Sequence, residues 1–262
     1  MLSIIVCVKQ VLDPEAPTST YRIDESAKRV VQKGVPPVMS PFDENALEAA
    51  LKIKAANGAK VTVLSMGQNL SRPIMRKVLA AGADDLIFLE DPAFDSLDSY
   101  ASAQVLASAI RKLNQFDLIL TGRQAADSNA GVVGLGIAVL LSLPSVATAG
   151  RIEIGEGKAR VESILPYGSD WIETPLPALI TVSNEAGGLR VLALKDIMAA
   201  QKRPINAWNC AALGLDPAAL RRTRLISLSL PIHEGKCEIV QGTTPEQAGE
   251  LLAVRLKGAK AL

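Results

Sequence analysis

The chain has 262 residues, 48% of them hydrophobic and 21% charged, enough to bury one large core or one and a half smaller ones. A formal net charge of +1 supplies no bulk field toward nucleic acid or anionic lipid, and 3% aromatic content leaves few stacking platforms for bases, so nucleic-acid binding is set aside. Cys7, Cys210 and Cys237 are far apart, odd in number and free of any C-x-x-C spacing, and His233 is the sole imidazole, so neither a disulfide framework nor a metal centre is expected.

In chain order, the apolar run at 2–8 reads as a buried strand. It lacks the basic leader and cleavage site of a signal peptide and is too short to span a bilayer, so a cytoplasmic location without direct membrane insertion is expected. A polar stretch with Asp13-Pro14-Glu15 and Pro17 follows. Ser40-Pro41-Phe42-Asp43 has the order of a capping box: a capping Ser, Pro at the first helical position and an acid three residues on. With Ala46, Leu47, Ala50, Leu51 and Ile53 at helical spacing, it predicts a helix over about 41–56. A strand at about 59–65 closed by Met66-Gly67, a helix at about 71–81 ended by Gly82, and a strand at about 85–89 come next. Then follow a helix at about 99–113, a strand at about 117–121 and a helix at about 129–141.

Strands alternating with helices of this length predict an α/β fold with a doubly wound, mostly parallel sheet covered on both faces. After Pro144 the pattern changes. Strands at about 146–154, 158–165 and 178–182 have only turns between them, so the sheet is expected to continue with antiparallel strands at one edge. From Glu185 periodicity weakens. Residues 201–231, with the basic run Arg221-Arg222-Thr223-Arg224, read as an arm, and a final helix is placed at about 245–257, with Ala248, Leu251, Leu252 and Val254 on its apolar face. The chain is thus expected to divide into an α/β domain over 1–185 and a C-terminal arm over 186–262.

In a parallel sheet, ligands bind beyond the carboxyl ends of the strands, where strand order reverses. Cys7-Val8-Lys9-Gln10, Ser65-Met66-Gly67 and the turn from Thr121 to Gly131 fall at such ends and can line one nucleotide pocket, Asp127 either accepting from ribose hydroxyls or ordering the turn. The same Gly, Ser and Asp also serve strand-to-helix turns with no ligand. Neither G-x-G-x-x-G nor G-x-x-x-x-G-K-[ST] occurs; the glycines of Gly131-Val132-Val133-Gly134-Leu135-Gly136 fall inside the predicted helix, where they suit close packing of helix on sheet. No Ser/His/acid or Cys/His grouping is legible, and His233 reads as a surface residue. A short helix with apolar Leu194, Ile197 and Met198 has the form of a partner-docking element, or of a surface helix packed on its own domain.

Four segments in order and spacing resemble the beta subunit of an electron-transfer flavoprotein. They are Val6-Cys7-Val8-Lys9-Gln10-Val11 with Asp13, then Ser40-Pro41-Phe42-Asp43-Glu44-Asn45-Ala46, then Gly122-Arg123-Gln124-Ala125-Ala126-Asp127, and finally the stretch from Leu194 to Pro204. The resemblance implies an adenine-nucleotide-binding, Rossmann-like fold and a non-catalytic subunit. That subunit pairs with an alpha subunit carrying redox-active FAD, and the heterodimer moves electrons from a dehydrogenase to a quinone reductase or another acceptor. It also implies AMP or a second FAD in this chain, lined by Cys7, Ser40, Met66, Asp127, Ser128, Asn129, Ala130, Gly131, Val132 and Val133, with Phe42 near the alpha subunit's flavin. Leu194 matches the anchor of the family's recognition loop, and the arm would dock on the alpha subunit.

The chain departs from the family pattern in three places. The run Ser128 to Val133 stands where further acids, a Gln and a Thr are usual, which leaves backbone N–H groups as the phosphate donors. Pro14 replaces a tyrosine beside Phe42, and Pro166-Tyr167-Gly168-Ser169-Asp170-Trp171 replaces an acidic-Gly-Gly stretch. The tail from Lys202 to Trp208 resembles the branch associated with nitrogen fixation, carnitine metabolism and bifurcation more than the mitochondrial type. Two rivals are weighed against this reading: a stand-alone nucleotide-binding regulator of universal-stress type, which has no use for so long an arm, and an adenylate-forming enzyme, which needs a Gly-rich loop after the first strand where Lys9-Gln10-Val11-Leu12-Asp13 stands.

Overall fold

The computed structural model of the chain describes residues 1–230, 235 and 237–261. Contacts divide it into two units, Met1–Ile226 and Ser227–Leu262. The first unit runs β1 (Leu2–Val8), β2 (Gln10–Val11), a hairpin of β3 (Tyr21–Asp24) and β4 (Arg29–Gln32), β5 (Val38–Met39), α1 (Pro41–Asn57), β6 (Ala59–Gly67), α2 (Arg72–Met75) and α3 (Lys77–Ala81). It continues with β7 (Asp85–Glu90), α4 (Ser99–Leu113), β8 (Leu118–Gly122), α5 (Val133–Leu141), β9 (Ser145–Gly155), β10 (Lys158–Leu165), β11 (Gly168–Pro175) and β12 (Ala178–Val182). It ends with α6 (Leu194–Gln201), β13 (Asn206–Trp208), α7 (Cys210–Leu213) and α8 (Pro217–Leu220).

One nine-stranded sheet organises this unit, in the order β11-β10-β9-β12-β8-β1-β6-β7-β13. From β9 to β13 every neighbouring pair is parallel, and only β9–β10 and β10–β11 are antiparallel. The doubly wound, mostly parallel α/β architecture expected from the sequence is therefore present. Because strand side chains alternate faces, β1 feeds two cores. Ile4, Val6 and Val8 pack with Leu47, Ala50 and Leu51 of α1 on one face. Ile5 and Cys7 pack on the other with Val105 and Ile110 of α4 and Ile137 of α5. Burial on both sides is why these strands are continuous apolar runs instead of alternating ones.

Several elements differ from expectation. The antiparallel edge is present, but it gains β11, whose residues are exposed except for Thr174 and so carry no apolar alternation. β12 is not at that edge: it returns between β9 and β8 and pairs parallel to both. Within the stretch read as a patternless arm, β13 adds a parallel edge strand, pairing Asn206 with Ile87 and Trp208 with Leu89; three residues are too few to show a period. The β3–β4 hairpin was missed because its strands are four residues each with none buried, too short for Ile23, Val30 and Val31 to write a core-facing run. The helix expected at about 71–81 is two short ones, parted at Arg76.

The second unit contains α9 (Pro245–Gly258), as expected from its pattern. Thr244 caps it by accepting from the Gln247 N–H, and Leu251, Leu252 and Val254 are exposed along it. His233, read as a surface residue, lies outside the described residues. Among those described, no helix is long and apolar enough to cross a membrane.

Candidate functional site

β1 and β8 are neighbours whose chains leave in opposite directions: β1 leads through α1 to β6 on one side, while β8 leads through α5 toward β9 on the other. That reversal opens a crevice at the strands' carboxyl ends, where a doubly wound sheet places its ligand. The structure has a cleft of about 340 Å³ there, walled by Cys7 at the end of β1 and Lys9 just after it, Met66 on β6, the turn after β8, and the first turns of α4 and α5. Its volume falls within the range of small-molecule sites.

The ligand-facing wall is backbone. α5 begins at Val133, four residues later than its periodicity suggests, because Asn129 (φ +50°) and Gly131 (φ +66°) turn the chain through left-handed conformations. Residues 128–132 are thereby a loop, and Gly131 lies outside the helix instead of within it. Gly134 and Gly136 do serve packing: a Cβ on Gly134 would lie 2.5 Å from Thr121 Oγ1, and one on Gly136 3.1 Å from Ala103 Cβ. Two helix N-termini meet the cleft. Asp98 caps α4 by accepting from the Ala101 N–H at 2.8 Å. The N-cap of α5 is Val132, which offers no side-chain acceptor, so the first N–H groups of α5 remain for an anion.

The segment Ser40-Pro41-Phe42-Asp43 does not form the expected capping box. Pro41 opens α1 as predicted, but Ser40 makes no side-chain cap bond. Instead its hydroxyl accepts from the Ala126 N–H at 3.3 Å. Asp43 Oδ2 accepts from the Lys9 N–H at 2.8 Å, and Oδ1 from the Gly122 N–H at 3.1 Å. Both side chains therefore pin the turns after β1 and β8, the two banks of the crevice. Gly122 is required at this crossing because a Cβ there would lie 2.7 Å from the backbone carbon of Phe42.

Of the residues expected at the site, Cys7, Met66, Ser128, Ala130, Gly131, Val132 and Val133 stand on the cleft wall. Four stand beside it. Ser40 is fully buried under the turn. Asp127 is tied to Lys9, its carboxylate 2.7 Å from Nζ. Asn129 accepts from Gln124 Nε2 at 2.9 Å. Phe42 lies under the Arg123 guanidinium, 4.7 Å from the ring centroid. Asp43 looks like a helix cap in the sequence and so was missed as a site residue, as were Asp98, Ser99 and Ser102, which stand at the Asp-capped start of α4 with no glycine turn to mark a ligand.

Burial pushes the Asp43 carboxyl up to about 7, against the stabilising Lys9 and Gly122 N–H groups and the Lys9 charge, with Asp127 adding to the rise. Burial, with the Asp43 charge, pushes the Cys7 thiol up to about 12. Cys7 is therefore a protonated, small apolar wall group and no nucleophile at neutral pH. Arg123 Nε is buried without a hydrogen-bond partner in the structure, beside the same cleft. An uncapped helix N-terminus, small wall residues and an orphaned guanidinium N–H fit an anionic, nucleotide-sized group.

The family described as electron transfer flavoprotein domain matches residues 28–213. The caffeyl-CoA reductase-Etf complex subunit CarD of Acetobacterium woodii is 37% identical over 261 residues, 98% of each chain. The electron transfer flavoprotein subunit beta of Megasphaera elsdenii is 37% identical over 226 residues, 84% of this chain and 82% of its own. Protein FixA of Azotobacter vinelandii is 34% identical over 218 residues, 81% of this chain and 76% of its own. Relatives named FixA and CarD match the branch to which the tail from Lys202 to Trp208 pointed.

Proposed function

Because the chain belongs to the electron transfer flavoprotein family and has a role in electron transfer, we propose that it is a non-catalytic beta subunit, paired with an alpha subunit that carries FAD and itself holding AMP or a second FAD in the β1/β8 cleft. The observation that carries this reading is the cleft, whose banks are fixed by Ser40, Asp43 and Gly122 from two of the family-like segments. The stand-alone regulator of universal-stress type is not favoured, since the family match runs from 28 to 213, well into the region beyond the first domain.

A bound flavin supplies the one- and two-electron redox chemistry. The chain's own residues bind and orient. The free N–H groups at the start of α5 and the loop 128–132 would hold phosphate, and the buried Arg123 Nε would find its missing acceptor. Cys7, Met66 and Val133 give the wall an apolar surface for a ring system, and Phe42, held by Arg123, would border the alpha subunit's flavin. The arm over 186–262 would engage the alpha subunit, with Leu251, Leu252 and Val254 on α9 as apolar contacts. A cytoplasmic location belongs to the same reading.

Docking of a dehydrogenase falls to α6. Leu194 is 73% exposed and Met198 62%, with Ile197 half-buried between them. Leu194 and Met198, four residues apart, share one face of α6 and make an apolar patch of the size a partner's pocket covers. Leu194→Ala is expected to cut the rate at which a dehydrogenase reduces the heterodimer by about tenfold or more, the scale of one buried apolar anchor. Flavin content and thermal stability should not change. Stopped-flow reduction kinetics check this, and unaltered kinetics would remove the anchor role.

A further inference from the structure

One flank of α1 carries a polar stripe in a helix that is otherwise packed into the core. Asn45, Glu48 and Lys52 are three and four residues apart and so share a face. Asn45 and Glu48 are only 7% and 6% exposed. Burying such groups is costly unless each is bonded, and all are bonded to one stretch of chain between β12 and α6. Asn45 Nδ2 donates to the Gly187 carbonyl at 2.7 Å, and Lys52 Nζ to the Ala186 carbonyl at 2.7 Å. The Glu48 carboxylate receives the Arg190 backbone N–H at 3.0 Å, Arg190 Nε at 3.0 Å and Arg190 Nη2 at 2.9 Å. Gly187 (φ +97°) makes the turn under Lys52.

Burial works against the Glu48 charge, but the Arg190 guanidinium and N–H outweigh it and hold the carboxylate below its ordinary range. Arg190 is thus fixed by a forked, charge-assisted contact of the kind that sets direction as well as distance. Beyond it comes α6, with Leu194 and Met198 facing solvent. The far end of α6 is tied down too, by Arg203 donating to the carbonyls of Ala83, at 3.0 Å, and Asp84. The helix is pinned at both ends, packs Ala200 into the core, and leaves Leu194 and Met198 bare. The first turn of α1 carries Asp43 on the cleft wall and Phe42 beside it, so one helix relates cleft and docking surface.

We propose that Asn45, Glu48 and Lys52, together with Arg190, are positioning residues that hold α6 in its docking posture for a partner dehydrogenase. This rests on the reading of α6 as a docking element. Its mechanism is entropic: with the clamp intact, the partner meets an ordered segment and need not order it on binding.

The test uses the heterodimer with Arg190→Gln, Arg190→Lys and Glu48→Gln, reading amide exchange over 186–198 and steady-state reduction by a dehydrogenase that accepts the wild type. Arg190→Gln and Glu48→Gln are expected to speed exchange at 187–193 and raise KM for the heterodimer about five- to tenfold, as for a lost charge-assisted contact. kcat should stay within about twofold and flavin content should not change, because no group at the cleft is touched. Arg190→Lys should recover only part, since an ammonium lacks the fork. Unchanged exchange in both Arg190→Gln and Glu48→Gln would overturn the clamp. Faster exchange with unchanged KM, while Leu194→Ala raises KM, would overturn its role in docking. If Leu194→Ala is also silent, the docking role of α6 fails and the proposal fails with it. Should Glu48→Gln not fold, Arg190→Gln alone still decides, because the Arg190 side chain is 42% exposed and its loss leaves no cavity in the core.

Discussion

Gly122→Ala is expected to destabilise the chain by about 1–3 kcal/mol, the usual cost of overpacking, and to abolish retention of nucleotide. The added Cβ would lie 2.5 Å from Asp43 Oδ1, 2.7 Å from the Phe42 backbone carbon and 2.8 Å from the Phe42 Cβ. Asp43 Oδ1 is held there by the bonds its carboxylate accepts from the Lys9 and Gly122 N–H groups, and the Phe42 backbone carbon and Cβ cannot turn away. The first turn of α1 must move off the end of β8, which stretches the Gly122 N–H bond to Asp43 and loosens the turn that Ser40 and Asp43 hold. Thermal unfolding and chromatography of released nucleotide check both parts. A stable variant that keeps its nucleotide would show that the crossing of α1 over β8 does not hold the cleft.

Asp43→Asn is expected to change the pH profile of stability. The carboxyl titrates near 7 in the folded chain against 3.8 ordinarily, so across that interval the folded state binds a proton that the unfolded state has released. Its contribution is fully present below 3.8 and is lost as pH rises through 7. At its steepest this amounts to about 1.4 kcal/mol per pH unit. Asparagine cannot titrate, and its amide turns an N–H toward the Lys9 or Gly122 N–H, costing about 1–3 kcal/mol at every pH. The variant should therefore be clearly weaker than wild type near pH 4.5, with the gap narrowing toward pH 8. Lys9 and Asp127 are the charged groups acting on this carboxyl, and the substitution leaves both in place, so the difference in profile reports Asp43. Urea unfolding at a series of pH values checks it, and parallel profiles would contradict the assignment.

The fold was legible wherever burial writes a pattern. β1, β6, β7 and β8 are buried on both faces and read as apolar runs, and α4 carries its core residues at helical spacing. Strand order was not legible, because order is settled by pairing at a distance: β12 looks like one more strand of the edge but is inserted between β8 and β9. β11 was hidden by exposure, and β3 and β4 by their length of four residues each with none buried. At the site, the turn after β8 was legible as a strand emptying into Gly, Asp and Ser before a helix. What local sequence cannot show is where a polar side chain spends its bonds. Ser40 and Asp43 have the spacing of a cap, yet Asp43 reaches Lys9 and Gly122, contacts 34 and 79 residues away along the chain. Only the crossing of α1 over β8 brings those N–H groups within reach. The clamp at Glu48 was invisible for the same reason, its partner lying 142 residues on.

The central claim is that this chain is the nucleotide-holding subunit of a two-chain electron carrier. Co-expression with an alpha subunit, purification of the complex and chromatography of the released nucleotides tests it most directly. The account predicts a heterodimer that releases one FAD and one AMP, or two FAD if the β1/β8 cleft holds the second flavin. A chain that forms no flavin-bearing complex with any alpha subunit would contradict it.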